Sequence, residues 1–163
     1  MKVAVVVYSL TGNTRVVAQA VAARLGAPLV TLLAPALRPH AGATFTLGFR
    51  TFFLPRTSVQ LDRPLPEELD LVVLAAPVWA GRVAFPMRVW LRSAPRLPQS
   101  CALVMTGGAP KESAAAMEDF AQCAGRPVAA RLYADDSSIR SGQPLPQVES
   151  FCGGLTGQSP LDR

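Results

Sequence analysis

Val3-Ala4-Val5-Val6-Val7-Tyr8 runs directly into Ser9-Leu10-Thr11-Gly12-Asn13-Thr14, and Val17, Ala20, Val21 and Leu25 then recur at helical spacing before Gly26. A continuous apolar, β-branched run marks a strand buried on both faces. The switch to a period near 3.6 predicts a helix over Asn13–Leu25, with Gly26 as its stop. A buried strand, a short hydroxyl-rich turn and a helix in that order open an α/β fold.

The pattern repeats along the chain. Ala27–Leu33, Leu71–Ala76, Cys101–Thr106 and Val128–Tyr133 read as further strands. Pro77 ends the third strand in this reading, and Gly107 and Gly108 cut off the fourth. Pro86–Arg92 suits a helix with proline in its first turn. Glu112–Ala124 suits another, with Ala116, Met117, Phe120 and Ala124 as its buried stripe and Gly125 as its cap. Leu145–Cys152 is a weaker final helix. Strands alternating with helices imply right-handed crossovers and a parallel sheet covered on both faces. At 163 residues the chain fits a single domain, 1–163.

Ala34–Asp70 breaks the rhythm. Its centre carries Phe45, Phe49, Phe52 and Phe53 around Gly48, greasy for a crossover. The plain reading is a short helix packed on the sheet. The sharper one is a homodimer contact or docking surface through the Phe45–Phe53 segment.

Composition narrows the classes. The chain is 50% hydrophobic and 17% charged, which argues against disorder. Its 16 basic and 11 acidic residues give a formal charge of +5, but the basic residues are spread singly, without the clustered stripe expected for nucleic acid. None of the 15 prolines sits inside a strand-like run, so they read as loop punctuation. Cys101, Cys123 and Cys152 are far apart, and a single histidine, His40, completes neither a zinc site nor a hydrolase triad. Val3–Val7 is too short for a signal-peptide core, and no stretch reaches the roughly 20 apolar residues of a membrane span. A cytoplasmic protein without a membrane or metal is the expectation.

Ligands of an open parallel sheet bind beyond the carboxyl ends of its strands, where the winding reverses. Three such ends carry unusual residues. Ser9, Leu10, Thr11, Gly12, Asn13 and Thr14 alternate hydroxyls with turn formers just before a helix N-terminus, where free amides and the helix dipole favour an anion. No Gly-Lys-Ser/Thr follows, which sets the loop apart from a triphosphate P-loop. An ordinary Ser/Thr turn with an Asn cap would look similar. Pro77, Val78, Trp79, Ala80 and Gly81 place an indole among small residues, suited to a planar ligand. Packing of Trp79 beside Phe85 and Trp90 is the alternative. Thr106, Gly107, Gly108 and Ala109 expose amides, as a plain strand-to-helix turn also would.

The order and spacing of these loops, over Met1 to about Tyr133, resemble the flavodoxin family. That resemblance implies a three-layer doubly wound α/β sandwich on a five-stranded parallel sheet of order 2-1-3-4-5. It implies FMN as cofactor. Ser9, Thr11, Asn13 and Thr14 would hold the phosphate with the Leu10 and Gly12 amides, and Trp79 would stack on the ring. Ala80 and Gly81 would face its N5 edge, and Gly107 and Gly108 would bond its pyrimidine oxygens, with no catalytic side chain required.

Two departures from the family stand out. The third loop lacks the frequent second aromatic, so one flavin face would be open to an acceptor or covered by Phe49, Phe52 or Phe53. The chain is also basic where low-potential carriers are acidic. A unit charge about 10 Å away contributes roughly 0.4 kcal/mol in water, on the order of 10–20 mV, so several arginines imply a less reducing flavin. The implied function is electron transfer through bound FMN, with a redox partner protein or a small acceptor. An FMN-dependent NAD(P)H or quinone oxidoreductase is the alternative, and a flavin-free interaction domain a third.

Overall fold

The computed structural model describes residues 1–35, 37, 58–93, 95–142 and 146–157. His40 and the Phe45–Phe53 segment lie outside them.

Strands β1 (Val3–Val7), β2 (Leu29–Leu33), β4 (Leu71–Trp79), β6 (Ser100–Gly107) and β7 (Val128–Asp135) pair in parallel in the order β2-β1-β4-β6-β7. These are the five expected strands in the expected 2-1-3-4-5 order. Among the described residues the sheet has two strands more. Antiparallel β3 (Gln60–Leu61) borders β2, and β5 (Arg82–Val83) folds back on the end of β4. At two residues each they are too short to leave a periodic signal.

Inward and outward residues alternate as strand geometry requires. Val6, Leu74 and Leu103 face one helical layer, formed by α2 (Phe85–Arg92) and α3 (Ala114–Ala124). Val5, Val73 and Val104 face the other, formed by α1 (Asn13–Leu25) and α5 (Pro146–Thr156). All five residues of β1 are buried, in keeping with its position between β2 and β4. The α3 stripe lies where the sequence placed it, with Ala116, Met117, Phe120 and Ala124 buried. Its first turn starts later than expected, because the Ser113 side chain caps it by accepting from the Ala116 amide at 3.3 Å.

Other boundaries also move. The third parallel strand does not stop before Pro77 but continues through it to Trp79. Pairing with β1 ends at Val7↔Ala75, so beyond that point β4 has lost this neighbour, and a residue without an amide hydrogen is tolerated there. The carbonyl of Pro77 accepts instead from the Ala84 amide at 2.9 Å. The expectation that no proline lies within a strand is therefore corrected. The final helix runs to Thr156, four residues beyond Cys152. A short helix, α4 (Asp136–Arg140), was not expected at all.

The thiols of Cys101 and Cys152 are buried, and burial pushes each up to about 11. They are small core residues, as anticipated. No helix among the described residues is long and apolar enough to cross a membrane.

Candidate functional site

The chain winds one way from β1 through α1 to β2, then crosses back to β4 on the other side of β1. The carboxyl ends of β1, β4 and β6 thus emerge side by side at the reversal, and the three singled-out loops share one rim.

The first loop is built around Gly12, the N-cap of α1 at φ +100°, in the left-handed region. Asn13 is accordingly the first helical residue and not the cap. The Ser9 Oγ accepts from the Gly12 amide at 3.1 Å and so tightens the turn. Among the described residues no side-chain hydrogen bond caps α1, and no acidic residue stands in its first turn. Arg15 lies there instead, a cation where the helix dipole favours an anion. A side-chain carbon added at Gly12 would meet none of the described residues within 4 Å. Thr11 is exposed, whereas Leu10 turns inward against Phe85.

Thr14 and Thr106, both expected among the ligand-facing groups, are each 1% exposed and share a hydrogen bond of 2.7 Å. Their hydroxyls join the first loop to the third beneath the rim. Each hydroxyl thus already has a protein partner. The Asn13 Nδ2 donates to the Asp136 Oδ1 at 2.9 Å, a second tie across the rim. Asp136 opens α4, whose cap is Asp135: its Oδ1 accepts the Ser137 and Ser138 amides, both at 3.0 Å. The serine hydroxyls and these amides hold the Asp135 carboxyl well below the usual carboxylate range.

The second loop is a hairpin turn. Trp79 pairs with Arg82 across Ala80 and Gly81, at φ +48° and +76°. Two central residues with positive φ are what a two-residue hairpin demands. Gly81 meets the demand freely, while alanine at 80 does so under strain. Ala80→Gly is therefore expected to stabilise the fold by about 1 kcal/mol, read as a higher urea midpoint at unchanged slope.

Trp79 is half-buried. Its ring makes edge contacts with Tyr8 at 5.6 Å and 83°, and with Phe85 at 5.7 Å and 61°. The anticipated packing beside Phe85 is present, and part of the indole remains exposed. Tyr8 is 3% exposed and its hydroxyl has no hydrogen-bond partner among the described residues. Burial pushes this phenol upward, so it stays neutral.

In the third loop, Gly107 belongs to the sheet. It is buried as the last residue of β6 and pairs with Asp135. A side-chain carbon there would stand 3.0 Å from the Tyr133 Oη, so a close approach explains this glycine. Tyr133 donates its hydroxyl to the Ala109 carbonyl at 2.6 Å and fastens the loop. Gly108 and Ala109 are exposed, the latter with its carbonyl engaged by Tyr133.

The sequence reading missed Tyr133 and Asp136 as parts of the rim. The Asp135-Asp136-Ser137-Ser138 run carries a capping signal that would have found α4. No local signal could show that Tyr133 reaches across to Ala109. Two hollows lie away from these loops' tips, one between β7 and α5 and one by Met1 and Leu155.

No family model and no curated protein matches this sequence. Solved structures do resemble it. A flavoprotein from Lactobacillus acidophilus NCFM, crystallised in complex with FMN, superimposes with a TM-score of 0.70 at 21% identity, over 86% of this chain and 97% of its own. The Trp repressor binding protein of Bacillus subtilis gives 0.59 at 11% identity, over 97% and 99%. A flavodoxin from the domain Archaea gives 0.52 at 15% identity, over 96% and 98%. At such identities the likeness speaks to architecture, and the chain has a flavodoxin-like fold.

Proposed function

We propose that this flavodoxin-like chain binds FMN at the rim and transfers electrons through it. The observation that carries the reading is the meeting of three strand ends at the reversal point. The uncapped, acid-free first turn of α1 stands at one end of it and the half-open indole of Trp79 at the other. The FMN-complexed flavoprotein with the same fold supports it.

The residues present suit the group. The Thr11 hydroxyl and the backbone amides at the start of α1 would hold the phosphate, with Ser9 keeping the turn closed and Arg15 adding positive charge. The exposed part of Trp79 would stack on the ring. Backbone groups of Ala80, Gly81 and Gly108 would face its polar edge. Bound FMN supplies the one- and two-electron chemistry, and the chain supplies binding, orientation and access.

A second reading, an FMN-dependent NAD(P)H or quinone oxidoreductase, draws on the third loop. Gly108, Ala109 and Pro110 are exposed and place no aromatic ring over the site, which leaves room for a small donor or acceptor. Steady-state NAD(P)H oxidation with a quinone separates an enzyme from a carrier that hands electrons to a redox partner.

Purified protein is expected to take up FMN with a flavin absorption spectrum, and Trp79→Ala to weaken binding by about 1–3 kcal/mol, measured by fluorescence titration. A colourless protein that ignores added FMN overturns the proposal in favour of a flavin-free domain. Unchanged affinity in the variant removes Trp79 from the site.

A further inference from the structure

The hairpin that carries Trp79, Ala80 and Gly81 is short, and its inner end, Val83 and Ala84, is buried in the core. β5 is two residues long and, among the described residues, pairs with β4 alone, through Val78↔Val83 and Trp79↔Arg82. The Ala84 amide closes the base of the hairpin on the Pro77 carbonyl. This ladder leaves the Val83 amide pointing away from β4. Val83 is fully buried, and a buried amide needs a partner.

The partner comes from a distant element. The Asp119 Oδ2 accepts from the Val83 amide at 3.1 Å, across 36 residues of sequence. Asp119 sits on α3 between Met117 and Phe120, both fully buried against the sheet, so the helix offers a fixed reference. A carboxylate accepting a backbone amide is among the stronger hydrogen bonds. It reaches the hairpin on the edge opposite β4, so the turn is gripped from both sides.

We infer that Asp119 is a positioning residue that sets how the Trp79–Gly81 turn stands at the rim, and through it the environment of the bound flavin ring. This inference rests on the FMN reading for its flavin consequences, but not for its effect on the hairpin.

The test compares Asp119→Ala and Asp119→Ser with Asp119→Asn, whose amide oxygen can accept the same bond. Amide chemical shifts are recorded without FMN; affinity, visible absorption and midpoint potential are measured with it. The expected result is that Ala and Ser displace the Gly81, Arg82 and Val83 amide signals, weaken FMN binding about 5- to 10-fold, and shift the absorption maximum and potential. Asn should stay within twofold of the parent affinity and keep the parent signals. Unmoved hairpin signals in a folded Ala or Ser variant overturn the inference, as does an Asn variant as impaired as Ala. If the parent protein does not bind FMN, the functional proposal falls, and the hairpin signals alone then judge the role of Asp119.

Discussion

Truncating Phe120 to alanine is expected to cost about 3–5 kcal/mol of folding stability. The ring is fully buried on the inner stripe of α3, in the core cluster that joins this helix to the sheet. Removing it deletes transferred apolar surface and leaves a cavity that the sheet and the helix backbone can only partly fill. Val16→Ala on exposed α1 surface (49% exposed) serves as the control and should change stability by less than about 0.5 kcal/mol. Urea unfolding of both variants reads the difference. A loss below about 1 kcal/mol for Phe120→Ala would mean that α3 is not seated as described.

The second large effect is expected at the threonine pair. Thr14→Val and Thr106→Val should each destabilise by about 1–3 kcal/mol, because each leaves one buried hydroxyl without its partner. The double variant should recover most of that loss, since two apolar groups of similar shape then face each other with nothing left unpaired. A double-mutant cycle by chemical denaturation measures the coupling. Additive losses would show that the two hydroxyls do not depend on one another. The cycle also separates bracing from ligand contact: the double variant should keep the rim closed, so its FMN affinity should stay near that of the parent. If instead the Thr14 hydroxyl held the phosphate, the double variant would recover stability but not binding.

Much of this fold is legible in the sequence because its strands are short, apolar and bounded by strong punctuation. The β1 run needs no tertiary information, since a parallel strand flanked on both sides is apolar throughout. The α3 stripe follows from spacing alone. What escaped was set by contacts between distant segments. Pro77 looked like a stop because proline lacks a ladder donor, and only the loss of the β1 neighbour makes it acceptable inside β4. The rim was legible as three loops but not as individual roles. Thr14 and Gly107 have the residue types of a ligand site, yet one hydroxyl is bound to Thr106 and the other residue makes room for Tyr133. Residue type gives chemistry; only the register of distant strands decides which way that chemistry points.

Strand β7 ends the sheet order, so among the described residues its outer row of amides and carbonyls bonds to no further strand. Over eight residues such a border is a template on which another molecule of the same protein could crystallise a cross-chain ribbon. Arg131, exposed midway along it, works against that outcome, because joined copies would crowd guanidinium groups onto one face. Arg131 thus acts as a gatekeeper on this border, quite apart from anything that happens at the opposite ends of the strands.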